Sequence, residues 1–387
     1  MTDHEYYFDN SATTKISAAA LSAVMDGYEN FGNPSSLHLK GANASKRIKN
    51  AALNVSRLMN AEQKGSIIFT SGGTEANNLA ILGGFYSKKR KSGDAVMVSD
   101  SEHASVENAA LQIEKAGYKV IRVPTKKGVL DMDFVLENLS SSIVLASFMC
   151  VNNETGALYD IKNAFSLLKR INPEVITHTD AVQAFGKVRI DPLRMNADMI
   201  SVSSHKLHGP MGVGALFVSK EIIKTKKISP TVFGGGQQND LRSGTENMPG
   251  ILGFSAACED ALKNFEQNIS TMKQTRDYLI EKLSSLDVKL NLPENAAPHI
   301  VNITSPGIKS EVMLHFLSAK GIYISGGSAC SSNHPSVSRA LKAFGLSDFD
   351  ADCSIRISLS HNNTKEEVDF LVTALNEGLS SIIRRKR

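Results

Sequence analysis

Short apolar runs alternate with longer helical stretches between about residue 65 and residue 220. Ile67-Ile68-Phe69-Thr70 reads as a strand, and Glu75 to Gly83 as the helix after it. Ala95-Val96-Met97-Val98-Ser99 is the next strand, and Ser105 to Ala116 the next helix. The series continues with an apolar run from Ile143 to Val151 and a helix near Lys162 to Arg170. The strand Val175-Ile176-Thr177-His178, the run Asp198-Met199-Ile200-Ser201-Val202 and a further run from Gly212 to Val218 complete it. Alternating strands and helices predict a mainly parallel sheet covered on both faces. In such a sheet, polar site residues collect at the C-terminal ends of the strands. After about residue 262 the pattern changes. A helical stretch from Phe265 to Leu286 precedes shorter strand-like pieces, Ile300 to Ile303 and Ser354 to Ser358, and a helix from Glu366 to Ile383. That pattern predicts a second, α+β domain.

Composition narrows the class. With 387 residues, one large domain and a smaller one are expected. The 43 basic and 39 acidic side chains leave a net charge of +4, which argues for neither a nucleic acid nor a membrane partner. The basic tail Arg384-Arg385-Lys386-Arg387 reads as solvated. Met1-Thr2-Asp3-His4-Glu5 does not resemble a secretory leader. No apolar run approaches the roughly 18 residues of a membrane helix. The four cysteines, Cys150, Cys258, Cys330 and Cys353, form no CxxC pair. Neither a disulfide framework nor a metal site is expected, and a reducing cytoplasm fits.

The chemistry sits where the pattern puts it. Lys206 lies in Ser203-Ser204-His205-Lys206-Leu207-His208-Gly209-Pro210, between two apolar runs. A lysine pinned there reaches water poorly, and a desolvated amine is a nucleophile toward aldehydes. After the first strand, Ser71-Gly72-Gly73-Thr74-Glu75 pairs glycines and a hydroxyl with a helix start, a plausible phosphate cup although a plain turn reads equally well. No Walker or dinucleotide fingerprint is present. The next strand ends offer His103, then Asn152-Asn153, then Asp180 followed by Gln183. Taken singly, His103 and Asp180 read as helix caps. Taken together, a lysine, an acid, a flat ring and a phosphate cup are what a pyridoxal phosphate site needs.

Two further stretches carry chemistry. Ile324-Ser325-Gly326-Gly327-Ser328-Ala329-Cys330-Ser331-Ser332 surrounds one cysteine with small residues, so its thiol is expected to be accessible and reactive. The other three cysteines read as structural. Gly234 to Asn247 is a long, polar, Gly-rich loop of a kind that is often functional.

The chain resembles the cysteine desulfurases of the class V aminotransferase group, the NifS/IscS-like branch, over nearly its whole length. Tyr7-Phe8-Asp9-Asn10-Ser11-Ala12-Thr13-Thr14, Phe31-Gly32-Asn33-Pro34-Ser35-Ser36, Thr70 to Glu75, Val151-Asn152-Asn153-Glu154, Ser203 to Lys206, Gly234 to Gln237, Arg242 to Thr245 and Gly327 to Ser331 carry the likeness. The resemblance implies a fold-type-I architecture like that of aspartate aminotransferase. It divides the chain into a large pyridoxal phosphate domain over residues 16–262 and a small domain from 1–15 and 263–387, with the cysteine loop at about 325–337. It implies that Lys206 binds the cofactor aldehyde and that His103 stacks on the ring and shuttles protons. Asp180 pairs with the pyridinium, and Gln183 with the phenolic oxygen. Gly73, Thr74, Ser203 and His205 hold the phosphate. Thr245 reaches the phosphate of a neighbouring subunit in a homodimer. Asn153 and Arg356 bind the substrate carboxylate, a task suited to a guanidinium fork. Without the family, Arg356 reads as a surface arginine on an edge strand. The implied activity removes sulfur from L-cysteine, giving L-alanine and a persulfide on Cys330, for a sulfur acceptor in iron–sulfur cluster assembly or in tRNA or cofactor thiolation.

Departures from the family leave the acceptor open. The chain ends soon after the helix beginning near Glu366, where relatives carry an extension that docks a scaffold protein. Ser336-Val337-Ser338-Arg339 also differs from the commoner pattern. Two other readings stand beside the main one. The first is another class V enzyme, a selenocysteine lyase or an aminotransferase. The second is a catalytically silent partner in a sulfur relay, against which intact Lys206, His103 and Asp180 argue.

Overall fold

The computed structural model describes residues 5–87, 93–326 and 338–385; Cys330 and the rest of 327–337 lie outside the described residues. Seven strands form the central sheet: β1 (Gly65–Thr70), β2 (Ala95–Ser99), β3 (Lys119–Val123), β4 (Ile143–Ser147), β5 (Ile176–Asp180), β6 (Met199–Ser203) and β7 (Gly214–Ser219). Their order is β1-β7-β6-β5-β4-β2-β3. β7 runs antiparallel to both β6 and β1, and every other neighbouring pair is parallel. All strands except β7 therefore end at the same edge, and this is the expected mainly parallel fold-type-I sheet.

The sheet is covered because both of its faces are apolar. Alternate residues of a strand point to opposite faces. Ala95 and Met97 of β2 join Ala146, Ile200 and Phe217 against the helices Leu39–Leu58 and Met248–Lys263. Val96 and Val98 join Leu145, Ile176 and Met199 against the helices Gly73–Asn78 and Ala104–Lys115. Each fully buried Val, Leu, Ile or Phe in these layers contributes about 1.5–3 kcal/mol. That rigidity fixes where the strand ends point.

The apolar run expected to continue to Val151 leaves the sheet after Ser147. Its backbone still reaches β5, from Phe148 N to His178 O at 3.1 Å and from Cys150 N to Asp180 O at 2.9 Å. Then Asn152 intervenes. Its side-chain oxygen accepts from the N–H groups of Glu154 and Thr155 and closes a turn. An Asx turn of this kind competes with strand pairing. The helix after β1 also departs from the expected regular form, passing through a π-helical turn at Leu79–Gly83.

The C-terminal third carries its own antiparallel sheet, in the order Lys289–Leu290, Ile300–Thr304, Ser354–Ser358, Ser325–Gly326. Its core joins Val301, Ile355 and Ile357 to Leu279, Met313 and Leu371 of three helices. The N-terminus belongs here: Phe8 is part of this core, and Tyr6–Tyr7 pairs in parallel with Ile322–Tyr323. Arg356 therefore lies on an interior strand, only 4% exposed, not on a surface edge. Among the described residues, no helix is long and apolar enough to cross a membrane.

Candidate active site

The C-terminal ends of β1, β2, β5 and β6 and the turn after β4 open into one cavity of about 350 Å3, closed on its far side by Arg356. Ten of the expected site residues line it: Gly73, Thr74, His103, Asn153, Asp180, Gln183, Ser203, His205, Lys206 and Arg356. Thr245 does not; it is an exposed residue of the polar loop. Cys330 lies outside the described residues.

Lys206 sits on a single 3-10 turn, Ser204–Lys206, directly after β6. It is half-buried, not sealed between strands as its apolar neighbours suggested. A short turn lifts it off the sheet and over the cavity. Its Nζ donates to the carbonyls of Ser11 and, at 2.5 Å, Ala12. Among the described residues, the lysine withdrawn from water is Lys187, whose amine burial pushes down to about 7, with the nearby Lys206 charge adding to the effect.

Asp180 ends β5 with both carboxylate oxygens engaged. Oδ1 accepts from Val182 N at 2.9 Å and Oδ2 from Asn77 Nδ2 at 2.7 Å. Asn77 in turn donates to Ser105 Oγ at 2.8 Å. The buried acid is thus held by donors from two neighbouring elements, which offsets the cost of its burial. His103 is the N-cap of the helix Ala104–Lys115 and also faces the cavity, so both readings of it hold. Its Nδ1 accepts from Ser105 N at 3.2 Å. A neutral ring then carries its proton on Nε2. His205 is kept neutral at pH 7, because burial, and then the charges of Lys206 and Lys187, push it down to about 4.

Arg356 reaches across from the C-terminal sheet. Nη1 donates to Asn153 O at 2.8 Å and Nη2 pairs with Asp9 Oδ1 at 2.9 Å. Nε is buried without a partner among the described atoms. Ser325 Oγ donates to the same Asp9 oxygen at 2.7 Å, and Ser338 Oγ donates to Glu154 Oε2 at 2.6 Å. Ser338 is therefore tied to Glu154 of the cavity wall, and Ser325 to the Asp9 that pairs with Arg356.

Two acids went unassigned in the sequence, Glu102 and Glu154, although the second stands in a quoted motif. Burial raises Glu102 to about 8, despite hydrogen bonds from Ser99 Oγ and Met149 N, and the Asp180 charge adds to the rise. Burial raises Glu154 to about 7, against the pull of the Ser338 hydroxyl, Arg356 and His103. Glu102 precedes His103, and Glu154 follows Asn153. Adjacency to an assigned residue was the one available signal, and it says nothing of burial.

The match to known proteins covers this whole arrangement. The family model described as Aminotransferase class-V matches residues 6–371. A protein of Clostridium botulinum (strain Hall) described as "Cysteine desulfurase IscS" is 37% identical over 390 residues, taking in 99% of this chain and 95% of that one. A solved structure described as "NIFS-LIKE PROTEIN" superposes with a TM-score of 0.90 at 31% identity, covering 98% of this chain and 100% of its own. A second, "SspA in complex with cysteine", superposes with a TM-score of 0.80 at 31% identity over 93% of this chain and 100% of its own.

Proposed function

The chain belongs to the class V aminotransferase family, and from that premise we propose that it is a pyridoxal 5'-phosphate-dependent cysteine desulfurase. It takes sulfur from L-cysteine, releases L-alanine and passes the sulfur on. The observation that carries this reading is the convergence of Lys206, Asp180, His103 and a buried Arg356 on one cavity.

The residues present fit the cofactor. Ser203 Oγ and Gln183 Oε1 are buried at the cavity without hydrogen-bond partners, as groups awaiting a polar ligand would be. A Cβ at Gly73 would stand 2.7 Å from Val182 Cγ2, so glycine keeps this wall open. Lys206 would bind the aldehyde, Asp180 the ring nitrogen and Gln183 the ring oxygen, with His103 over the ring. Gly73, Thr74, Ser203 and His205 would hold the phosphate. When bound, pyridoxal phosphate supplies the electron sink that lets an amino acid give up its Cα proton.

This chain's own groups do the rest. Arg356 and Asn153 orient the substrate carboxylate, and Lys206 Nζ receives the Cα proton. His103 moves protons through Nε2, because Nδ1 is committed to the helix cap. The Cys330 thiolate attacks the substrate sulfur. The carbon–sulfur bond breaks, a sulfur–sulfur bond forms and a proton is added at the substrate's Cβ. Ser338 on Glu154, and Ser325 on the Asp9 that pairs with Arg356, support this role, since both lie close in sequence to Cys330.

The assembly follows from the same premise. The chain divides into a large domain, 16–262, and a small one, 1–15 with 263–387. The enzyme is a homodimer: Tyr28, Phe31, Leu39 and Phe233 are 66%, 64%, 77% and 81% exposed, an apolar set that a partner subunit would cover. Thr245, exposed on the loop that carries Phe233, would then reach the partner's phosphate. Cys150, Cys258 and Cys353 are buried free thiols, which fits a cytoplasmic enzyme. The sulfur goes to an acceptor protein of iron–sulfur cluster assembly or of tRNA or cofactor thiolation.

Arg356→Lys tests the substrate assignment. A lysine keeps the charge but loses the fork. The variant is expected to keep the cofactor's absorbance and to raise KM for L-cysteine about 10–100-fold, the loss of about 1.5–3 kcal/mol of charged hydrogen bonding. An unchanged KM would remove Arg356 from the substrate site.

A further inference from the structure

Glu154 is one of two cavity acids, with Glu102, that no step above employs, and it is the one whose turn Arg356 touches, through Asn153 O at 2.8 Å. Its turn holds it firmly: Asn152 Oδ1 accepts from Glu154 N at 3.0 Å, and Asn302 Nδ2 donates to its carbonyl at 3.2 Å. Ser338 Oγ holds Oε2 at 2.6 Å from the other side. Arg356 and His103 line the same cavity, and the Arg356 charge favours the ionised carboxyl. Asp9 occupies one arm of Arg356, and Arg339, next to Ser338, is drawn off to Glu107 at 2.8 Å. Lys206, His205, Glu102 and Asp180 line other parts of the same cavity.

Arg356 is thus shared. In the free site it holds the carbonyl of Asn153, the residue before Glu154, shares the cavity with the Glu154 carboxyl, and leaves its buried Nε without a partner among the described atoms. An amino-acid carboxylate docking there would take the guanidinium for itself and set a second anion beside Glu154. Losing an opposite charge and gaining a like one both favour the neutral form of an acid. Burial already raises Glu154 to about 7, and a seated carboxylate pushes it in the same direction.

We propose that Glu154 is a substrate-linked acid: it takes up a proton as an α-amino-acid carboxylate seats on Arg356, so the site binds amino acid and proton together. This rests on Arg356 being the carboxylate anchor. The bound molecule then meets a carboxylic acid, which can donate a hydrogen bond, in place of a repelling carboxylate. Affinity falls by up to about tenfold per pH unit above the ionisation of the free acid.

The test is calorimetric. L-Alanine is titrated into the pyridoxal phosphate-loaded protein at pH 8 in buffers of different ionisation enthalpy, and the proton count is extracted. Protons exchanged by the amine are common to wild type and Glu154→Gln, so the difference between them isolates Glu154. Wild type is expected to take up roughly 0.5–1 proton more than Glu154→Gln, and its Kd should rise with pH more steeply. Ser338→Ala removes a donor that favours the ionised acid, so its free Glu154 is already more protonated at pH 8 and its count should fall between those of wild type and Glu154→Gln. Equal counts in wild type and Glu154→Gln would overturn the inference. Absence of alanine binding in both would overturn it together with the carboxylate assignment. Should Glu154→Gln not fold, the infrared difference spectrum of wild type on binding alanine decides: a new protonated-carboxyl band supports the inference and its absence overturns it.

Discussion

Lys206→Ala is expected to give a folded protein that cannot retain pyridoxal phosphate through reduction with borohydride and that makes no alanine from L-cysteine. Among the described residues, no other lysine lines the cavity; Lys187, the other buried amine nearby, opens onto a separate small cavity behind the turn. The fold should tolerate the change. Lys206 is half-buried on a short turn, and the two hydrogen bonds described for it go to loop carbonyls. Their loss costs about 1–3 kcal/mol at most. Catalysis should fall at least about 10^4-fold, because the variant loses both the covalent anchor and the base for the Cα proton. In wild type, borohydride should leave a stable mass gain on the peptide containing Lys206. A gain on a different lysine would overturn the assignment.

Cys330→Ala separates the two halves of the reaction. The described cofactor groups that line the cavity come from strand ends of the large sheet and its flanking turns. The variant should therefore bind pyridoxal phosphate with the wild-type spectrum. Alanine release from L-cysteine should fall at least about 10^3-fold, the scale expected for loss of a catalytic nucleophile. Full alanine production would sink the desulfurase reading. Steady turnover of selenocysteine by the variant, with negligible activity on cysteine, would favour a lyase.

The sheet was legible where its strands are apolar runs buried on both faces, whereas β3, Lys119–Val123, half-exposed and carrying Lys119 and Arg122, was not read. β2, β5 and β6 appear where the apolar runs stood. β4 was overextended because hydrophobicity does not report hydrogen bonding: Phe148 to Val151 are all buried, yet the Asn152 turn takes them off the ladder. Lys206 was found for a partly mistaken reason. Its neighbours are buried, but a three-residue turn keeps the lysine itself half open. Lys187, one residue after a glycine in an ordinary-looking turn, is the fully buried amine, and nothing local marked it.

The site was legible wherever one strand end supplies one group. Asp180, His103 and Ser203 each follow an apolar run. What could not be read was convergence over long separations. Ser11 accepts from Gln183 Nε2 at 2.9 Å, across 172 positions of sequence. Asp9 links Arg356 and Ser325 in the same way. Such contacts depend on how the N-terminal strand joins the C-terminal sheet, which no local pattern records. The raised ionisation of Glu102 and Glu154 is of the same kind, since burial is a property of the assembled cavity.

The central claim is that the cavity prepares L-cysteine and that Cys330 receives its sulfur. The most direct measurement is mass spectrometry of the pyridoxal phosphate-loaded wild-type protein after brief exposure to isotopically labelled L-cysteine, with alanine counted in parallel. The account predicts the mass gain of one labelled sulfur atom on the peptide containing Cys330, matched by one alanine for each sulfur retained. Alanine formed with no sulfur on that peptide, or sulfur carried by another cysteine, would contradict it.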